Sequence, residues 1–146
     1  MPLIAAVNGP AIGAGFVLAN MCDIRIGSTN AQFGETFANL GLIAGDGGAL
    51  FLRRLVGPQR AAELTFTGRI VKAEEALALG LLLEVTAPDA LLARAKELAS
   101  KIAAKPPLAL RYAKRLLKLA EHQEVDEHLE ASAAYQAICH KTDDHQ

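Results

Sequence analysis

The stretch from Ile4 to Ile26 constrains this chain most. An apolar run at residues 3–8 leads into a segment punctuated by Gly9, Gly13 and Gly15. A mostly apolar segment at 14–21 and a second strand-like run at 23–27 follow. The pattern reads as strand, glycine loop, short buried helix and strand. A run that is apolar at every position predicts a strand covered on both faces. Glycine lacks Cβ, so backbone can turn tightly or come close to a ligand there. The loop also opens a helix, whose first amides lack intrahelical partners and receive negative charge. Gly13-x-Gly15 could begin a dinucleotide fingerprint, but Leu18 occupies the place of its third glycine, and a lone GxG is weak.

The remaining sequence divides at about residue 88. Before it, residues 31–34 read as a brief strand and 41–48 as a glycine-rich loop. A helix is expected at 47–56, a break at Gly57-Pro58, and a second helix at 59–67 closed by Gly68. Residues 72–79 predict a further helix closed by Gly80, and residues 81–85 a short strand. After it, residues 88–104, 107–122 and 125–140 have helical apolar spacing, with Pro106-Pro107 between the first two and a polar tail from Thr142. The expected organisation is an α/β region at 1–87 and a helical region at 88–146.

With 146 residues the chain is long enough for a sizeable core. Fifteen basic residues against sixteen acidic ones, a net charge of −1, predict no nucleic-acid partner. No apolar run approaches the roughly 20 residues of a membrane span, and no basic leader opens the chain. Cys22 and Cys139 read as reduced thiols of a cytoplasmic protein. His122, His128, His140 and His145 fall on amphipathic helices or in the tail, without cysteine or carboxylate clustering, so no metal site is expected.

Six segments carry a family resemblance: Ala5-Ala-Val-Asn-Gly9, Met21-Cys-Asp-Ile24, Ala31-Gln-Phe-Gly34, Asn39-Leu-Gly-Leu42, Gly45-Asp-Gly-Gly48 and Leu64-Thr-Phe-Thr-Gly68. In this order and spacing the chain resembles the crotonase superfamily, the enoyl-CoA hydratase/isomerase family, over about residues 2–140. The match begins inside the family's domain, as expected of a chain truncated at its N-terminus. The resemblance implies the C-terminal part of a crotonase-like ββα spiral followed by a three-helix oligomerisation region. It implies an acyl-CoA thioester as ligand, no cofactor, and a homo-oligomer built on trimers. Family members hold the thioester carbonyl between two backbone amides, which stabilise an enolate-like species. One of these falls by position at Ala14, with Gly13 and Gly15 beside it; the other belongs to the half of the family's domain that this chain lacks.

The family's hydratases use two glutamates, and their positions fall here on Val17 and Phe37, leaving those residues to line the substrate. Neither exchanges a proton, and water addition across an enoyl bond wants two carboxylates near that water. Two carboxylates lie nearby. Asp46, in Gly45-Asp-Gly-Gly48, either serves as a base or caps the following helix. Glu35 either has a chemical role, sharing a face with Phe37 if that segment is extended, or has a surface or salt-bridge role. Arg111, Lys114, Arg115 and Lys118 read as CoA-phosphate ligands, a solvated face or a subunit contact. Two functions follow: an acyl-CoA enzyme, isomerase-like or of unassigned reaction, or a non-catalytic truncated homologue, kept as a folded or oligomerising module or encoded as a gene fragment.

Overall fold

The computed structural model describes residues 1–145. They form two compact units, Leu3–Glu97 and a second from Leu98 onward joined by Met1–Pro2. The first unit holds two small sheets. In one, β1 (Ile4–Val7) runs parallel to β3 (Ile24–Ser28), with Ile4 opposite Ile24, and β6 (Glu84–Thr86) lies parallel on the other side of β3. In the other, β2 (Pro10–Ile12) runs parallel to β4 (Gln32–Gly34), and β5 (Val71–Lys72) adds antiparallel. The helices are α1 (Ala14–Met21), α2 (Gly48–Thr67) and α3 (Ala73–Ala78), with α4 (Leu91–Ala103) running on past the unit boundary. The second unit continues with α5 (Pro107–Leu119) and α6 (Val125–Cys139), whose Tyr112 and Tyr135 rings stack at 4.5 Å.

Three expectations need correction. The segment before α1 is not all loop, because residues 10–12 pair with β4. The strand expected at 81–85 lies instead at Glu84–Thr86. Its displacement has a packing cause: Gly80 turns the chain at φ 78°, and the amides of Leu81 and Leu82 return to the Ala76 carbonyl. That turn sends both leucines into the core before pairing with β3 begins. Finally, β1 is not covered on both faces, since only Val7 is buried and Ala6 is exposed.

The core of the first unit gathers Phe16 of α1, Phe33 of β4, Leu52 and Leu64 of α2, and Leu81. The Phe16 and Phe33 rings meet at 5.6 Å in a tilted arrangement. Arg25 is buried beside this core, and the Asp23 charge favours its cationic form against the burial. Its guanidinium donates to the carbonyls of Leu81 at 2.8 Å, Cys22 at 2.7 Å, Ala19 at 3.3 Å and Asn20 at 3.4 Å. Three of these carbonyls close α1, where the helix dipole favours a cation. The planar fork thus ties the end of α1 to the turn that leads into β6. No described helix is long and apolar enough to cross a membrane.

Truncating Arg25 strands several carbonyls at once. We expect Arg25→Ala to lower the unfolding free energy by about 3 kcal/mol in urea titration, with Arg25→Lys recovering only part of the loss.

Candidate active site

The site is built on the glycine loop. Gly13 adopts φ 56°, ψ −124°, a conformation that side chains disfavour, and its amide donates to the Gly34 carbonyl at 2.8 Å. Its own carbonyl receives the Val17 amide at 3.1 Å, the bond that starts α1. The amides of Ala14 and Gly15 precede that first helical bond and point out of the helix N-terminus. Both residues are exposed. A Cβ built on Gly13 would stand 3.7 Å from the Phe37 ring, so Phe37 borders this loop.

Glu35 follows β4 directly. Residues Thr36–Leu40 then wind into a 3-10 helix, so Glu35 and Phe37 do not alternate as in a strand. Neither is Glu35 at the surface: it is 2% exposed. Its Oε2 accepts a hydrogen bond from the Thr65 hydroxyl at 3.0 Å, while Oε1 is buried with no hydrogen-bond partner. A Cβ on Gly48 would meet Oε1 at 2.7 Å, the Ala44 methyl at 2.8 Å and Val17 Cγ2 at 2.9 Å. Oε1 therefore shares a tight corner with α1, the 44–48 loop and the start of α2. Burial pushes the Glu35 carboxyl above its ordinary pKa; the Thr65 hydrogen bond opposes this and the Asp46 charge adds to it.

The shape of α2 makes this corner possible. Gly57 breaks the helix at φ 77°, ψ 169°, and Pro58 starts a second limb. In a straight helix Gly48 and Thr65 would stand about 25 Å apart. Here both touch one carboxyl group, so the second limb folds back toward the first. The end of that limb is fixed as well. Asn39 of the 3-10 helix donates to the Gly68 carbonyl at 3.1 Å, and Gly68 turns with φ 58°.

Asp46 does not cap α2. Gly47 is the N-cap, in the left-handed region at φ 90°, and no side chain hydrogen-bonds to the cap. Asp46 is exposed one residue earlier, on a loop held against Val17 through Gly48. The structure thus brings Gly13, Val17, Glu35, Phe37 and the Asp46 loop to the first turn of α1. Sequence reasoning missed Thr65 and Gly48. Thr65 lies 30 residues from Glu35 and resembles any other polar helix position. The glycine of Gly47-Gly48 was visible, but not the carboxyl it accommodates. Among the basic residues of α5, Arg115 lies over the Tyr135 ring at 5.6 Å, and Lys114 donates to the Met1 carbonyl at 2.9 Å.

Comparison with known proteins places this geometry. The enoyl-CoA hydratase/isomerase family model matches residues 1–146. The chain belongs to the enoyl-CoA hydratase/isomerase family. It is 41% identical over 143 residues to a short-chain-enoyl-CoA hydratase of Clostridium acetobutylicum, covering 98% of this chain and 55% of that protein. The enoyl-CoA hydratase subunit I of Geobacillus kaustophilus superposes with a TM-score of 0.93 at 38% identity, over 97% of this chain and 55% of the other. A Thermobifida fusca relative, crystallised with CoA and with acetoacetyl-CoA, superposes with a TM-score of 0.90 at 40% identity, over 92% of this chain and 52–53% of its own. The expected fold, the C-terminal part of a crotonase-like α/β spiral followed by helices, is therefore the one observed. The chain spans about half the length of these relatives.

Two outcomes test the corner around Glu35. Gly48→Ala forces a methyl against Oε1, Ala44 and Val17, and we expect a loss of about 1–3 kcal/mol by chemical denaturation. The second concerns pH. The folded protein holds the Glu35 proton more tightly than the unfolded chain. Wild-type stability therefore falls as pH rises from the ordinary glutamate pKa of about 4.3 toward the raised value. Glu35→Gln removes that dependence, so melting curves across pH should move in favour of the glutamine variant as pH increases through this window and stay parallel below it.

Proposed function

We propose that the protein binds an acyl-CoA thioester and moves a proton on it, as an isomerase rather than a hydratase. The observation supporting this is the convergence of the α1 N-terminus, the apolar pair Val17 and Phe37, and the Asp46 loop backed by Glu35. In this reading the Ala14 amide receives the thioester oxygen, and Gly13 and Gly15 let the backbone approach it. Val17 and Phe37 wall the acyl chain and supply no proton. Asp46, exposed on its loop, takes a proton from the carbon next to the thioester. On a β,γ-unsaturated acyl chain the electrons of that C–H bond pass to the thioester oxygen as a dienolate, and the Asp46 carboxyl, in exchange with solvent, returns a proton to the γ-carbon as the double bond moves next to the thioester. Burial raises the Glu35 carboxyl above its ordinary pKa, which disfavours a second negative charge behind Asp46.

Deuterium exchange from D2O into the α-position of an acyl-CoA, followed by mass spectrometry, tests this. We expect Asp46→Asn to slow exchange by about 10²–10⁴-fold. Exchange that is intact in Asp46→Asn removes Asp46 from the mechanism. Hydration of a short enoyl-CoA should fall well below the roughly 1–10³ per second of ordinary enzymes.

A second reading, an oligomerising module without catalysis, is favoured by the second unit. α5 and α6 bury none of their residues, and Leu117, Val125, Leu129 and Ile138 are exposed. Apolar faces of this kind mark subunit contacts, and we read the protein as a trimer-based homo-oligomer. The free thiols Cys22 and Cys139 fit a cytoplasmic setting. Light scattering on the eluting protein decides the association: a monomer mass at micromolar concentration overturns it.

A further inference from the structure

Glu35 has two oxygens in different surroundings. Oε2 is occupied by the Thr65 hydroxyl at 3.0 Å, whereas Oε1 is buried, lacks a partner, and lies against Gly48, Ala44 and Val17. A hydroxyl that donates to one carboxyl oxygen disfavours a proton on that oxygen, because the lone pair facing the donor is already used. Thr65 reaches Glu35 only because α2 turns back at Gly57. We propose that Thr65 is a positioning residue, which fixes Glu35 through Oε2 and reserves Oε1, at the foot of the Asp46 loop, as the oxygen that carries the proton.

Thr65, on the second limb of α2, donates to Oε2. Oε1 shares the corner at Gly48 with Val17 of α1 and Ala44 of the 44–48 loop. Asp46 is the charged neighbour whose field reaches Glu35. Thr65 thereby sets the charge state behind Asp46. This last step rests on the acyl-CoA reading; the assignment of the two oxygens does not.

The experiment is a titration of the Glu35 carboxyl carbon by NMR in protein labelled with 13C-glutamate, Glu35→Gln identifying the resonance. Thr65→Val keeps the shape and removes the donor. We expect its Glu35 to titrate higher than wild type by about one pH unit or more, and Thr65→Ser to titrate as wild type. Should Thr65→Val fail to fold, Thr65→Ala gives the same reading. An unchanged Glu35 titration in the folded variant without a hydroxyl overturns the proposal. So does a Thr65→Ser titration that matches Thr65→Val. The α-deuterium exchange profile should shift with pH in Thr65→Val and recover in Thr65→Ser. Wild-type protein that exchanges no acyl-CoA refutes the acyl-CoA reading while leaving the NMR result to judge Thr65 alone.

Discussion

Glu35 is a carboxyl held at 2% exposure, with the Thr65 hydroxyl donating to one of its oxygens. Such a group is costly to bury as an anion, and the cost raises its pKa. Much of the surrounding geometry follows from accommodating it. Position 48 favours glycine, because a Cβ there would press on Oε1, the Ala44 methyl and Val17. Val17 packs an apolar methyl into the same corner, and the break of α2 at Gly57 brings Thr65 to the other oxygen. One buried polar atom thus links three elements that are distant in sequence.

The neighbouring loop has a separate logic. Gly13 is anchored by its amide to the end of β4 and by its carbonyl to the first turn of α1. The amides of Ala14 and Gly15 are therefore aimed by bonds on both sides rather than by the loop's own stiffness. Pre-aimed amides of this kind need no rearrangement when negative charge develops in front of them.

The periodic elements were legible in the sequence. α1, the broken α2 with its glycine close, and α5 fall where an apolar spacing or a glycine–proline signal places them, and α6 lies where expected although its apolar residues are spread around the helix. β2 and β5 were not legible, since segments of two or three residues carry no period. Asp46 looked like a cap because aspartate favours that position, but the left-handed turn at Gly47 moved the cap by one residue. Of the candidate residues, Phe37 borders Gly13, and Val17 borders Glu35 at Gly48. The burial of Glu35 was hidden because the 3-10 helix after it, and its donor 30 residues away, are tertiary facts.

The break at Gly57 divides α2 into two limbs, the second of which buries Ala61 and Leu64 in the core. Local opening of this limb would carry Thr65 away and let Glu35 meet water. A carboxyl whose folded pKa is raised releases its proton on exposure whenever the pH lies between its folded and solvated values. Opening of this limb is then a proton-releasing event, and the fluctuation itself grows more frequent as the medium becomes less acid. The local breathing of one helix is thereby tied to the proton activity around the protein.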